Sequence, residues 1–381
     1  MLGDDRPRLR VLLDHFGLID DERESWRVAH PLPEVLLLVV CGTIGACDDF
    51  DEIVEWGEDN LPFLRRFLPY HHGIPGSRWL RILLNRIDPA LFCEVFQSWA
   101  TTLRPDAPAL VAIDGKTSRG SHDRTNGRAA LHLVSAFATR EKLVLGQEAM
   151  APGGCEQETI PILLERLADK GRLNGALVSI DAVACNAKTA QAVLDAGADY
   201  LLAVKANQPG LMGEIERFFD DAPPDLTTTT SEVDKGHGRV EERCVTVSTR
   251  IDWLEGERRF PGEYRFPHIA AIAKVQAKAH EKGKTSSQTR YYVTSSPMPA
   301  ESLAEAVRSH WAIENSLHWV LDVTFREDAA RSRTGHGPAN MAVVRHFAFN
   351  ILRSHNDRRS LKLRRNKAAR NQTYLNDILN P

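Results

Sequence analysis

The sequence predicts an α/β protein built on a mixed sheet, and three observations carry that expectation. Between residues 108 and 204, short apolar runs and helical patterns follow in the order strand, strand, strand, helix, strand, helix, strand. Two of those runs, Ala109 to Ile113 and Ala176 to Ile180, end in an aspartate, Asp114 and Asp181. On either side lie a helical stretch (residues 1–105) and a Thr-, Val- and charge-rich stretch (residues 224–298).

Taken in order, residues 1–105 carry apolar residues at helical spacing, punctuated by Pro31, Pro33, Pro69 and Pro75. Val35 to Cys47 is apolar for 13 residues. A membrane span needs roughly 20, so this stretch reads as a buried helix with Pro33 in its first turn. ALVAIDG, ALHLVSAFA and KLVLGQEAM are then three strands of an antiparallel meander, the first broken by Gly115. A helix over Ile160–Lys170, strand ALVSID, a helix over Ala187–Ala196 and strand YLLAVK follow. TTTTSEVDKGHGRVEERCVTVSTR, IAAIAKVQAKAH and TRYYVTSS read as a mainly β insertion. Last come a helix carrying SHWAIENSLHWVLDVTFRED and a basic segment.

Composition sets soft limits. The chain has 381 residues, 43% hydrophobic and 26% charged, ample for a globular core. A net charge of −3 does not advertise a nucleic-acid binder, but distribution outweighs the sum: residues 353–370 hold eight Lys/Arg against Asp357. Six cysteines without a CxxC pair argue against a zinc ribbon and a disulfide framework. With no secretory pattern at the start, the expected location is the cytoplasm.

Three acids stand where acids need a reason. In open α/β sheets, functional groups gather beyond the carboxyl ends of strands, where Asp114 and Asp181 are placed. Glu314 lies on an otherwise core-like helix, with His310 and His318 four residues to either side and so on one face of an α-helix. Two strand-end aspartates and a helical glutamate suit a hard divalent cation. Each has a plainer reading. The aspartates could be turn residues or helix caps; Glu314 could be solvated, or could hold zinc with His310 and His318. Asp322 and Asp328 are alternates for the third acid.

The order Asp, Asp, Glu on strand, strand and helix resembles the RNase H-like core of DDE transposases. The wording resembles one bacterial group, the ISAs-type or H-repeat-associated insertion-sequence transposases. It does so in IDGKTSRGS (Ile113–Ser121), ALHLVSAFA (Ala130–Ala138), Ser179–Leu211, GHGRVEER (Gly236–Arg243), RYYVTS (Arg290–Ser295) and the opening stretch. The wider superfamily carries a Tyr-Arg-Glu-Lys signature. Its arginine position is His310 here and its lysine position Leu321, so those two roles are not carried over.

The resemblance implies five segments: a helical domain (1–105), an RNase H-like core (106–223), the β insertion (224–298), the Glu-bearing remainder of the core (299–352) and the basic segment (353–381). It implies that Asp114, Asp181 and Glu314 hold two Mg²⁺, with Mn²⁺ as a substitute. They would cut DNA at transposon ends and join those ends to target DNA. The expected partners are terminal inverted repeats, target DNA and further copies of the chain in a dimer or higher multimer at the nucleoid; no membrane is expected. Candidate DNA contacts are Lys116, Lys205, Asn207, Gln208, His237, Arg239, His310, Arg358, Arg359, Arg364 and Arg365. The alternatives are a nuclease of the same fold without strand transfer, and a DNA-binding protein that has lost catalysis.

Overall fold

The computed structural model describes residues 7–104, 106–123, 125–236, 239–254, 265–281 and 284–380. The chain opens with helices α1 (Arg8–Phe16), α2 (Leu32–Ile44), α3 (Phe50–Asp59), α4 (Leu61–Leu64), α5 (Ser77–Leu84) and α6 (Pro89–Leu103). α2 starts behind Pro31 with Pro33 in its first turn, where a missing N–H is harmless. Apolar around its circumference and buried on every side, it forms the centre of the helical layer. α3 begins where the Asp49 carboxylate accepts the Asp51 and Glu52 N–H groups, both at 2.9 Å.

The sheet follows. β1 (Leu110–Ser118), β2 (Leu131–Ala138) and β3 (Leu143–Ala149) form the antiparallel meander. Then come α7 (Glu156–Ala168), β4 (Leu177–Ile180), α8 (Ala187–Asp195), β5 (Asp199–Val204) and α9 (Pro209–Asp221). β4 runs parallel to both β1 and β5. Gly115 does not end β1, contrary to its reading as a breaker: the strand runs through it to Ser118. Its missing side chain serves another purpose. A Cβ there would sit 2.1 Å from Glu156 Oε1 and 2.5 Å from His132 Nε2.

β6 (Thr228–Gly236), β7 (Arg239–Ser248), β8 (Ala271–Glu281) and β9 (Lys284–Thr294) make up the β-rich stretch. They continue the same sheet, because the end of β9 pairs antiparallel with β5, Tyr291 opposite Val204 through Thr294 opposite Leu201. The order is β3-β2-β1-β4-β5-β9-β8-β7-β6 across nine strands.

Alternation along β1 sets the layers. Val111 and Ile113 face a core with Leu163, Leu164 and Leu167 of α7 and Val193 of α8, whereas Ala112 faces the helical layer. On that second face lie α10 (Ala300–His310), a π-helical turn (Ile313–His318) and α11 (Trp319–Val323). α12 (Gly337–Ser354) joins the core of α2 and α6. Its Asn350 bonds both the N–H and the carbonyl of Val144, at 2.9 and 2.8 Å, covering the outer edge of β3. α13 (Leu361–Ala368) and α14 (Gln372–Leu379) close the chain. Among the described residues no helix is long and apolar enough to cross a membrane.

Candidate active site

The parallel register of β1 and β4 positions the first two acids. Ile113 lies opposite Ile180 in the last pair of that ladder, and Asp114 and Asp181 are the next residues of each strand. Neighbouring strands lie about 4.8 Å apart, so Asp114, still within β1, and Asp181, just past the end of β4, stand at one level. Glu314 lines a cavity of about 60 Å³ with Asp181, Lys205, Arg290, His310 and Trp311.

Glu314 sits in the π-helical turn, not in an α-helix as its spacing suggested. The wider turn breaks the single-face alignment of His310, Glu314 and His318. His310 Nδ1 lies 2.9 Å from Ser179 Oγ on β4, and His318 Nδ1 lies 3.6 Å from Asp114 Oδ2. The two imidazoles thus serve different neighbours, which disfavours the zinc alternative. Burial pushes the His318 ring down to about 4, with Lys116 adding to the effect, so it is neutral at pH 7.

The three carboxyl groups feel one another. Burial pushes Asp114 up to about 7; the Gly115 N–H opposes this, while Glu156, Glu314 and Asp181 add to it. Partial burial also raises Glu314, with Asp181 adding and Arg290 opposing. Burial acts upward on Asp181 too, but the Ala182 N–H and Lys205 outweigh it and hold its carboxyl below the usual range. Lys205 Nζ lies 3.3 and 3.4 Å from its two oxygens.

Among the described residues, no group of three or more His, Cys, Asp or Glu stands close enough to hold a metal ion as it is. In chemistry the set still fits a hard cation: its donors are all carboxylate oxygens, and a divalent ion offsets both the burial that raises Asp114 and the smaller repulsion from Glu156, Glu314 and Asp181.

Most of the expected DNA contacts are engaged by other groups of the protein. Lys116 does not reach outward: its Nζ lies 2.7 Å from Asp322, 2.9 Å from Glu327 and 3.6 Å from Asp328. The same contacts occupy Asp322 and Asp328, the alternates for the third acid. Asn207 donates to the Ala182 and Cys185 carbonyls at 2.7 and 3.3 Å, and Gln208 donates to Cys185 at 3.0 Å. Both amides brace the turn after Asp181. Lys205 and His310 are held by Asp181 and Ser179 as described.

Arg364 and Arg365 are buried, which corrects their reading as phosphate contacts. Arg364 caps the end of α12 through the Leu352 and His355 carbonyls. Arg365 bonds the Thr43 and Thr324 carbonyls and stacks on Phe325. A guanidinium carries five donors, enough to satisfy carbonyls at several helix ends. Arg358 and Arg359 are exposed. Arg239 opens β7, and His237 lies outside the described residues.

Three residues at the site went unassigned in the sequence. Ser179 could have been suspected from its place two residues before Asp181. Glu156, 2.8 Å from His132, carries no local signal. Arg290 opens the RYYVTS motif, but nothing in its spacing ties it to Glu314.

Comparison with known proteins bears on the family of the chain. Residues 105–351 match the family model described as "Transposase DDE domain", and residues 13–100 match the model described as "DDE_Tnp_1-associated". The protein named "H repeat-associated putative transposase YhhI" of Escherichia coli K12 is 34% identical, covering 97% of this chain and 98% of that one. A transposase-named protein of Escherichia coli O157:H7, YncI, is 33% identical over 97% of this chain and 95% of its own. A piggyBac transposase synaptic complex with hairpin DNA aligns over 97% of this chain and 77% of its own, at a TM-score of 0.45 and 10% identity, a likeness too loose to bear on the site. The chain belongs to the DDE transposase family and, within it, groups with the H-repeat-associated transposases.

Proposed function

We propose that this chain cuts DNA at the ends of a mobile element and joins the freed ends to a target, using Asp114, Asp181 and Glu314 on an RNase H-like core. The observation that supports the proposal is the placement of Asp114 and Asp181 side by side, each one residue past the Ile113–Ile180 pair, with Glu314 lining the cavity that holds Asp181. The strand order β3-β2-β1-β4-β5, antiparallel then parallel, supports that core.

The three carboxylates are the residues that would hold Mg²⁺, or Mn²⁺ in its place. Two such ions, when bound, would supply activation of an attacking oxygen and neutralisation of a leaving one. The protein's own part is to present these oxygens at one level and to keep the turn after Asp181 fixed through Asn207 and Gln208. Lys205, 3.3 Å from Asp181, is a cation that a DNA phosphate can recruit from that carboxylate.

In the first step water attacks the phosphodiester in line and the 3′ oxygen leaves as a 3′-OH. In the second that hydroxyl attacks a target phosphodiester, so one ester bond forms as another breaks and no nucleotide triphosphate is consumed. Joining two ends to one target calls for at least two copies of the chain. The partners are DNA: the terminal inverted repeats and the target.

The test incubates the full chain with duplexes copied from the DNA flanking its coding sequence, with and without Mg²⁺, and sequences the products. Metal-dependent nicks at one position, followed by joining to a plasmid, support the proposal. Cutting without joining makes it a nuclease; binding without cutting makes it a DNA-binding protein that has lost catalysis.

A further inference from the structure

The cavity holding Asp181 and Glu314 opens into a larger groove of about 810 Å³, lined by β6 to β9 on one side and α10 on the other. Arg290, Tyr292, Val307 and Trp311 line both, so whatever lies in the groove runs up to Glu314. The groove is large enough for a nucleotide-sized group. Its guanidinium groups are not equivalent. Arg243 is paired with Glu241 at 2.6 Å, and Arg308 is paired with Glu232 and Asp234. Arg290, among the described residues, has no carboxylate within ion-pair distance. It lies over the Trp311 ring at 4.9 Å and donates to Gln288 at 3.2 Å.

From this placement we infer that Arg290 binds a DNA phosphate beside Glu314, with Trp311 as the flat support that aims the guanidinium. Four residues before Glu314 stands His310, and its Nδ1 is taken by Ser179. On the Glu314 side of the cavity the guanidinium comes from strand β9, whereas Lys205 stands at Asp181. A guanidinium is suited to the task because its fork matches two phosphate oxygens. Held against an aromatic face, it loses little freedom on binding. This assignment rests on the DNA-cutting reading above and adds a residue to it.

The experiment uses the full chain and the flanking-DNA duplex in EDTA, so that binding is read without cutting. Single uncharged methylphosphonates are placed at successive positions around the bond that the wild-type protein cuts in Mg²⁺. Arg290→Gln is expected to weaken binding of the unmodified duplex on the order of tenfold, the scale of one charge-assisted hydrogen bond. One methylphosphonate should do the same to the wild-type protein. The two together should be no weaker than either alone, since a single interaction can be removed only once. Arg290→Lys, which keeps the charge without the fork, should lose less.

Effects that multiply at every position overturn the assignment, as does unchanged binding by Arg290→Gln. A variant that melts early while no methylphosphonate affects the wild type shows that Arg290 only packs on Trp311, which also overturns it. If the wild type cuts but no position couples to Arg290, the assignment fails and the DNA-cutting reading stands. If the wild type neither binds nor cuts, both fail.

Discussion

Lys116 Nζ on β1 lies 2.9 Å from Glu327 Oε2, a carboxylate that is 2% exposed and also faces Arg345 at 3.6 Å. The strand that carries Asp114 is thereby tied to the segment following the Glu314 helix. Removing one partner of a buried pair leaves the other charge stranded. Lys116→Met is expected to lower unfolding stability by roughly 3 kcal/mol, read from the urea midpoint. A change within about 0.5 kcal/mol, the range of ordinary surface substitutions, would mean that Arg345 alone holds Glu327.

Asp114→Asn, Asp181→Asn and Glu314→Gln keep shape and remove charge. Each should slow end cutting in Mg²⁺ by at least a hundredfold, the scale of losing one charge-stabilising group in a site. Binding to the flanking duplex in a gel-shift assay should stay within a few-fold. A variant that cuts at the wild-type rate takes its residue out of the site.

The raised Asp114 carboxyl gives stability a definite slope. Its folded value of about 7 lies above the usual 3.8, so the folded protein holds that proton more tightly than the unfolded chain does. The contribution is complete below the unfolded value. It is lost as pH rises through the folded one, in total on the order of 4 kcal/mol. His318 and His346, both lowered to about 4 by burial, act oppositely: their contribution is complete above the usual 6.5 and is lost as pH falls toward 4. The difference between wild type and Asp114→Asn isolates the carboxyl. In EDTA, the melting temperature of wild type should fall relative to the variant from pH 4 to pH 7, and Mg²⁺ should close that gap. Parallel curves would refute the assignment.

The basic C-terminal segment should divide in two. Arg365→Ala strands the Thr43 and Thr324 carbonyls and is expected to cost on the order of 3 kcal/mol or more. Arg358→Ala with Arg359→Ala, both exposed, should leave the melting temperature within a degree or two. The pair should flatten the log–log salt dependence of DNA binding by roughly one unit for each phosphate no longer neutralised. An unchanged salt slope would show that these two arginines touch no DNA.

The strands were legible because their apolar runs are short and sharply bounded, and the helix over α2 because its apolar stretch outlasts a strand. The place of Asp181 just past its strand was legible for the same reason; that of Asp114 was only half legible, because β1 ends its pairing with β4 at Ile113 but goes on past Gly115 in its pairing with β2. The π-helical turn was not: SHWAIENSLHW has no Pro or Gly, and a wider turn leaves no mark in composition. Nor was the pairing of β9 with β5, a contact across about ninety residues. The fate of Arg364 and Arg365, expected as DNA contacts, was hidden because a run of basic residues does not by itself show which of them face inward. One clue was present. Leu361, Arg364, Arg365 and Ala368 repeat at helical spacing, and that stripe is the buried side of α13.

The two family models meet near residue 100, yet α12, far beyond that point, completes the core of α2 and α6. The join is a seam in the text of the gene and not in the folded object. A recombinant fragment begun at residue 105 would carry α12 with one whole side stripped, an oily face of Met341, Val344, Phe347 and Leu352 wetted for the first time. Such a piece would clump in the tube however intact its three acids, so attempts to work with the catalytic half alone should keep the first hundred residues, on the same chain or supplied beside it.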